Sequence, residues 1–338
     1  MKIIKTYFWI SLIYLISYIQ LSAQTITEIK GVSFTVSNLN EALKFYTEVL
    51  SFRIDTVYVL QGKKVQHLFG LEDANLLINV ARLYLGDEYI ELMEFHSKKT
   101  ISRKIPIDSR SNDLWFQHIA IVVSDMNKAY AILTENEVTH VSPFPQTLPE
   151  YLPSAAGITA FYFRDLDGHN LELIYFPAGK GNPKWQNNNQ SLFLGIDHTA
   201  IGIESTKPSL EFYTNKLGLA IVGVSQNYGT EQEYLNQVFG ARLNITGLKA
   251  NNGIGLEFLD YVSPPGGRPY PTDTKPTDLW YWQTNMKTTN LNKILKHIST
   301  SCSKQLSTGG ISLKENKLNI NNGIIMRDPD GHALFIHD

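Results

Sequence analysis

The sequence predicts an α+β fold built from four copies of one βαβββ module, and three observations carry that prediction. The first is an internal duplication: residues 31–36 (GVSFTV) align with 198–203 (HTAIGI), and 42–47 (ALKFYT) with 209–214 (SLEFYT), both at an offset of 167. The second is that the alignment continues in order. Residues 91–95 (ELMEF) match 257–261 (EFLDY) at 166, 112–116 (NDLWF) match 277–281 (TDLWY) at 165, and 164–169 (RDLDGH) match 327–332 (RDPDGH) at 163. Chance can supply one such match, whereas an ordered series means duplication. The third is that the two halves of each repeat share a plan of strand, helix and closing strands.

In the first module, residues 31–36 alternate like a half-buried strand. Residues 42–47 then read as a short amphipathic helix, and 91–95 as the closing strand. The second module opens at 118–123 (HIAIVV) and closes at 170–174 (NLELI), after the turn signal Asp167-Gly168. The third repeats the first, and the fourth repeats the second, with Asp330-Gly331 before its last strand. Module limits fall at 30–95, 114–176, 195–261 and 279–338. Turn-rich linkers join them at 96–113, 177–191 and 263–278, the last carrying Pro264-Pro265-Gly266-Gly267. A module of this size cannot cover its own sheet, so the four must pair into closed cores.

Composition bounds the function. The 338 residues include 43% hydrophobic and 18% charged side chains, an ordinary globular balance that argues against disorder. A formal charge of −2 without a basic block gives no sign of a nucleic-acid or anionic-membrane partner. Residues 1–23 form a separate unit: a short basic start, an almost uncharged apolar run from Thr6 to Leu21, and a small-residue cleavage site after Ala23. That layout predicts a secretory signal peptide, a periplasmic or secreted product and no stable membrane insertion after cleavage. The lone cysteine, Cys302, cannot form an intramolecular disulfide. A four-module chain can close its own cores, which makes a monomer the expectation.

A strand with the pattern His-x-x-x-x-Val/Ile, a helix ending in Phe-Tyr and a closing strand with Glu together resemble the vicinal oxygen chelate superfamily. That group contains glyoxalase I, extradiol dioxygenases and bleomycin-resistance proteins, and the resemblance spans about Lys30 to Asp338. It implies two U-shaped mixed-sheet bowls, each made by two modules, with metal ligands projecting from the first and last strand of each. Carried over position by position, module one offers Gly31 and Glu91, module two His118 and Glu172, module three His198 and Glu257, and module four Gln283 and Phe335. Modules two and three thus keep His and Glu at both positions. Two pairings are open: one with two and three with four would give each bowl three possible ligands, whereas the favoured pairing of two with three places His118, Glu172, His198 and Glu257 around one divalent ion (Zn, Ni, Co, Mn or Fe) and leaves one with four as a degenerate bowl. The presence of Glu91 in such a bowl has no sequence rationale.

The resemblance implies a Lewis-acid centre acting on a small substrate with two neighbouring oxygens, with Glu257 or Glu172 as the base for isomerase, epimerase or lyase chemistry. An extradiol-type Fe(II) dioxygenase and a non-enzymatic small-molecule binder are the alternatives. Asn227 and Arg242 are candidate substrate contacts. His169 and His332 follow Asp-Gly turns and read as turn residues, and His337 as incidental. Trp115, Phe116, Trp280, Tyr281 and Trp282 read as core or interface packing.

Overall fold

The computed structural model describes residues 25–99, 101–187, 191–265, 267–298, 305–307, 310–312 and 320–338. The expected signal segment and Cys302 lie outside the described residues. The chain runs through β1 (Ile26–Thr35), α1 (Leu39–Lys44), β2 (Arg53–Gln61), α2 (Lys63–Phe69), β3 (Leu77–Leu85) and β4 (Glu88–His96). It continues with β5 (Gln117–Val123), α3 (Met126–Glu135), β6 (Thr139–His140), β7 (Gln146–Thr147), β8 (Thr159–Arg164) and β9 (Asn170–Tyr175). The second half holds β10 (Phe193–Ile203), α4 (Thr206–Leu210), β11 (Ala220–Tyr228), α5 (Thr230–Asn236), β12 (Arg242–Lys249), β13 (Asn252–Gly253) and β14 (Gly255–Ser263). The last stretch holds β15 (Trp282–Thr288), α6 (Leu291–Ile298), β16 (Ile311–Ser312), β17 (Asn322–Arg327) and β18 (Ala333–His337).

Two nine-stranded mixed sheets result, each curled into a half-barrel. One has the order β16-β17-β18-β15-β1-β4-β3-β2 with β13 also paired to β1, and the other β11-β12-β14-β10-β5-β9-β8-β6 with β7 also paired to β8. The strands of residues 114–176 therefore join those of 195–261 across the antiparallel β5–β10 seam, and the first strands join the last across β1–β15. The first and second modules, and the third and fourth, thus fall in different main sheets. The largest buried cluster draws side chains from both sheets and from the helices, including Phe34, Ile90, Ile121, Phe163, Ile201, Phe258 and Met326.

Local chemistry explains the elements. Asn38 caps α1 by accepting from the amides of Asn40 at 3.0 Å and Glu41 at 3.1 Å, and Asp125 caps α3 through Lys128 N at 3.0 Å. Both α1 and α4 run on into a π-helical turn, Phe45–Val49 and Glu211–Lys216. Those turns carry Tyr46 and Tyr213, whose hydroxyls donate to Asp165 Oδ2 at 3.0 Å and Asp328 Oδ2 at 2.9 Å. Every residue of β5 is buried, because one face packs on the core and the other lines a half-barrel.

His169 and His332 are not solvated turn residues. Each is 1% exposed, and each places Nε2 2.7 Å from a backbone carbonyl, of Leu279 and Gly202 respectively. They tie each Asp-Gly turn to a neighbouring module, so their ring nitrogens hold tertiary contacts. The aromatic clusters are buried as expected: Trp115 lies under the guanidinium of Arg268 and Trp280 under that of Arg103, both at 4.8 Å.

Candidate metal centre

Strand register builds the site. His118 on β5 is opposite Ala200 on β10, and His198 on β10 is opposite Ala120 on β5. On the outer sides, Ala200 pairs with Glu257 of β14, and Ala120 with Glu172 of β9. Side chains two apart on a strand share a face. The two His–Ala–Glu rows therefore line one concave surface, and the small alanines leave space between them.

Three of the four expected ligands converge. Donor atoms of His118, Glu172 and His198 lie within 4.8 Å of one another, and all three side chains are buried. Glu172 Oε2 is 3.1 Å from His118 Nε2 and 3.7 Å from His198 Nε2. The fourth residue stands apart from that group: Glu257 is half-buried and brings Oε2 to 3.5 Å from His198 Nε2. The expected ligands thus form a compact His–Glu–His group with the Glu257 carboxylate at its edge.

This set fits a divalent ion. His118 Nδ1 is buried without a hydrogen-bond partner among the described residues, and the Nε2 atoms of His118 and His198 face carboxylate oxygens outside hydrogen-bond geometry. Orphaned imidazole nitrogens are costly unless something binds them, and two imidazoles with a carboxylate form a borderline donor set.

Electrostatics separates the residues. Burial lowers His118 below the ordinary histidine value, outweighing the nearby Glu172 carboxylate. Burial would lower His198 too, but Glu257, Asp197 and Glu172 push it up to about 9. Glu257 is raised by burial and by the charges of Glu172 and Asp197, against the pull of His198.

Asp197 was invisible in the sequence pattern. The β5–β10 register shifts between Ile196 and His198, a bulge that lets consecutive residues face the same cavity. Asp197 Oδ2 lies 3.1 Å from His198 Nδ1, and its Oδ1 accepts from Trp185 Nε1 at 2.6 Å. That pairing directs the Nδ1 proton toward Asp197 and leaves Nε2 facing Glu172 and Glu257, the usual way a carboxylate orients a ligating imidazole.

A cavity of about 530 Å³ opens beside these residues, lined by His198, Glu257, Asp197, Phe176, Val222 and Lys249 among others. A chamber of about 190 Å³ lies deeper, with Glu172, Tyr162, Asn227 and Gln232 in its walls. Asn227, a candidate substrate contact, lines this inner chamber. Arg242, the other candidate, does not: it is exposed at the start of β12, with its guanidinium 5.0 Å over the Tyr228 ring, and it lines neither space. Strand pairing set it at the rim, where a cation is hydrated.

The other half-barrel repeats these rows without the ligands. Glu91, Ser33 and Gln283 form one row, and Gly31, Asn285 and Phe335 the other. Ser33 and Asn285 replace the two alanines and fill the gap. A side chain at Gly31 is barred because a Cβ there would lie 2.2 Å from the Tyr89 carbonyl oxygen. Glu91, unexplained by sequence, accepts from Arg82 Nη2 at 2.7 Å, Tyr58 at 2.9 Å and Ser33 at 2.8 Å. A guanidinium balances the carboxylate here, and apolar side chains such as Val65, Phe69, Ile325 and Phe335 fill the bowl.

Comparison with known proteins is consistent with this geometry. A sequence profile of the Glyoxalase/Bleomycin resistance protein/Dioxygenase superfamily matches residues 28–173. The chain is 31% identical over 150 residues to a 2-epi-5-epi-valiolone epimerase of an Actinomyces species, covering 44% of this chain and 79% of that one. Among solved structures, glyoxalase I from Zea mays aligns with a TM-score of 0.61 at 15% identity, over 92% of each chain. A candidate dioxygenase from Bacillus subtilis aligns at 0.55 and 13% identity, over 93% of this chain and 86% of that one. At such identities the solved structures speak for fold.

Proposed function

This chain belongs to the glyoxalase/bleomycin resistance/dioxygenase superfamily, and from that premise we propose that it is a metal-dependent epimerase or isomerase of a small α-hydroxyketone. The observation that carries the reading is the separation of the two carboxylates. Glu172 sits between both imidazoles, while Glu257 stands at the cavity edge with its proton affinity raised. His118, Glu172 and His198 are the residues that would hold the ion, which when bound supplies Lewis-acid polarisation of a substrate carbonyl. Glu257 would take the proton from the carbon beside the carbonyl; return of a proton to the opposite face of that carbon gives the epimer, and its return to the carbonyl carbon gives the isomer. Asp197 keeps His198 in one tautomer.

The 31% identity to a valiolone epimerase supports this class, and a cyclic polyhydroxyketone is the substrate type it suggests. Export, resting on the layout of residues 1–23, would confine the substrate to compounds met outside the cytoplasm. The test is deuterium exchange into the carbon beside the carbonyl of an α-hydroxyketone in D2O, followed by proton NMR. Wild-type protein loaded with metal should exchange it, and Glu257→Gln should keep its metal while losing at least about 100-fold in rate. Full exchange in Glu257→Gln excludes that carboxylate as the base.

One observation favours a second reading. The compact group holds two histidines and a single carboxylate, the donor set of non-haem Fe(II) oxygenases. Oxygen uptake with catechols in the Fe(II)-loaded protein, without ketone exchange, would select it.

A further inference from the structure

Behind the candidate metal centre, four side chains form a buried polar chain. Asn227 Nδ2 donates to Gln232 Oε1 at 3.0 Å, Gln232 Nε2 donates to Asn236 Oδ1, and Asn236 Nδ2 donates to the Tyr261 hydroxyl. All four are almost wholly buried, between 1% and 5% exposed. The chain is consistent in direction, with each amide donating onward. Its first member is left over: Asn227 Oδ1 is buried and has no partner among the described residues. Asn227 and Gln232 both line the 190 Å³ chamber that Glu172, His198 and Glu257 also line.

An unpaired buried amide oxygen is unfavourable unless a ligand satisfies it. If the Tyr261 hydroxyl donated instead of accepting, every amide would turn over and Asn227 would present an NH2 group. A hydroxyl satisfies either arrangement, because it both donates and accepts. The chamber walls also include no Lys or Arg, while Asp197, Glu172 and Glu257 contribute carboxylates. Apart from the ion and the His198 ring, an anionic group such as a phosphate would meet only carboxylates there. The volume lies below the roughly 300–1,000 Å³ of pockets for drug-sized ligands.

We infer that Asn227, anchored through Gln232 and Asn236 on Tyr261, selects a neutral, multiply hydroxylated ketone by binding a hydroxyl remote from the reacting carbon. This rests on the proposed α-hydroxyketone chemistry and names what the site discriminates. Asn227 is a specificity residue that touches substrate; Gln232, Asn236 and Tyr261 are positioning residues.

The experiment compares an inosose, the fully hydroxylated cyclohexanone, with 2-hydroxycyclohexanone, which keeps only the reacting pair of oxygens. Dissociation constants come from calorimetry on the metal-loaded full chain, with Asn227→Leu and Tyr261→Phe as variants and metal content measured in each. Wild type should bind the inosose at least about tenfold more tightly. Asn227→Leu should bring the two ketones within about threefold, and Tyr261→Phe should lose part of the preference, with metal content unchanged in both. Equal affinities in the wild type, or an undiminished preference in Asn227→Leu, overturn the inference. Deuterium exchange into 2-hydroxycyclohexanone is scored separately. Its failure counts against Glu257 chemistry, while the binding preference alone decides the hydroxyl selection.

Discussion

Arg268 grips Asp113 with two parallel hydrogen bonds, Nε to Oδ1 at 3.0 Å and Nη2 to Oδ2 at 2.8 Å, across 155 positions of sequence. The duplication repeats the arrangement in reverse: Arg103, the counterpart of Arg268, holds Asp278, the counterpart of Asp113, at 2.9 and 2.6 Å. Each linker thus clasps the module-opening turn of the other half. The aspartates are nearly fully buried, at 2% and 1% exposure, while the arginines remain partly in water.

That asymmetry sets a prediction. Arg268→Leu leaves a buried carboxylate without its main partner and should cost about 2 kcal/mol. Asp113→Asn leaves an arginine that can rehydrate and should cost about 1 kcal/mol or less. Urea titrations of both variants check the order, and a larger loss in Asp113→Asn would contradict it.

The degenerate bowl gives a second. Arg82→Met strands the Glu91 carboxylate among Tyr58, Ser33 and apolar side chains, and should destabilise the chain by about 3 kcal/mol. Arg82→Met/Glu91→Leu should recover most of that loss. Metal content should be the same in all three proteins, measured by elemental analysis.

How legible the molecule was in its sequence follows from these particulars. His118, Glu172, His198 and Glu257 were legible through the resemblance, which implies ligands on first and last strands, and the repeat offsets said which modules carry them; the β5–β10 and outer-strand registers set these residues in matching rows. The depth of each carboxylate could not be read, since Glu172 and Glu257 are equivalent in the pattern and unlike in burial. Asp197 escaped because a bulge breaks the alternation on which the reading depended. His169 and His332 escaped because an Asp-Gly turn signals local conformation and carries no record of a carbonyl more than 100 positions away. Glu91 had no visible reason because its partner, Arg82, sits on a strand that no motif marked.

Asp197 supplies a third prediction. Asp197→Ala removes the acceptor at His198 Nδ1 and frees the ring to adopt the other tautomer. Metal affinity in a competition titration with a chelator should fall by about 10- to 100-fold, and unchanged affinity would leave Asp197 without an orienting role.

The fourth concerns pH. The buried His169 ring, held 2.8 Å from Asp165, is raised above its ordinary value because Asp165 and Asp167 outweigh the effect of burial. Its contribution to stability is complete below the unfolded value of about 6.5 and is lost as pH rises through the raised folded value. Asp165 is lowered by His169 and Tyr46 against its burial. Its contribution is complete above about 3.9 and is lost as pH falls through the lowered folded value. Thermal melts of chelator-treated protein should therefore show stability declining above about pH 6.5, with a smaller decline in His169→Gln. Parallel curves for the two proteins would count against the pair.

The most direct test is the metal content of the purified chain after reconstitution, in the wild type and in a His118→Ala/His198→Ala double variant. The account predicts about one divalent ion per chain, held between β5, β9 and β10 and lost in the double variant while the fold persists by circular dichroism. A wild type that takes up no metal, or a double variant that keeps it, would contradict the account.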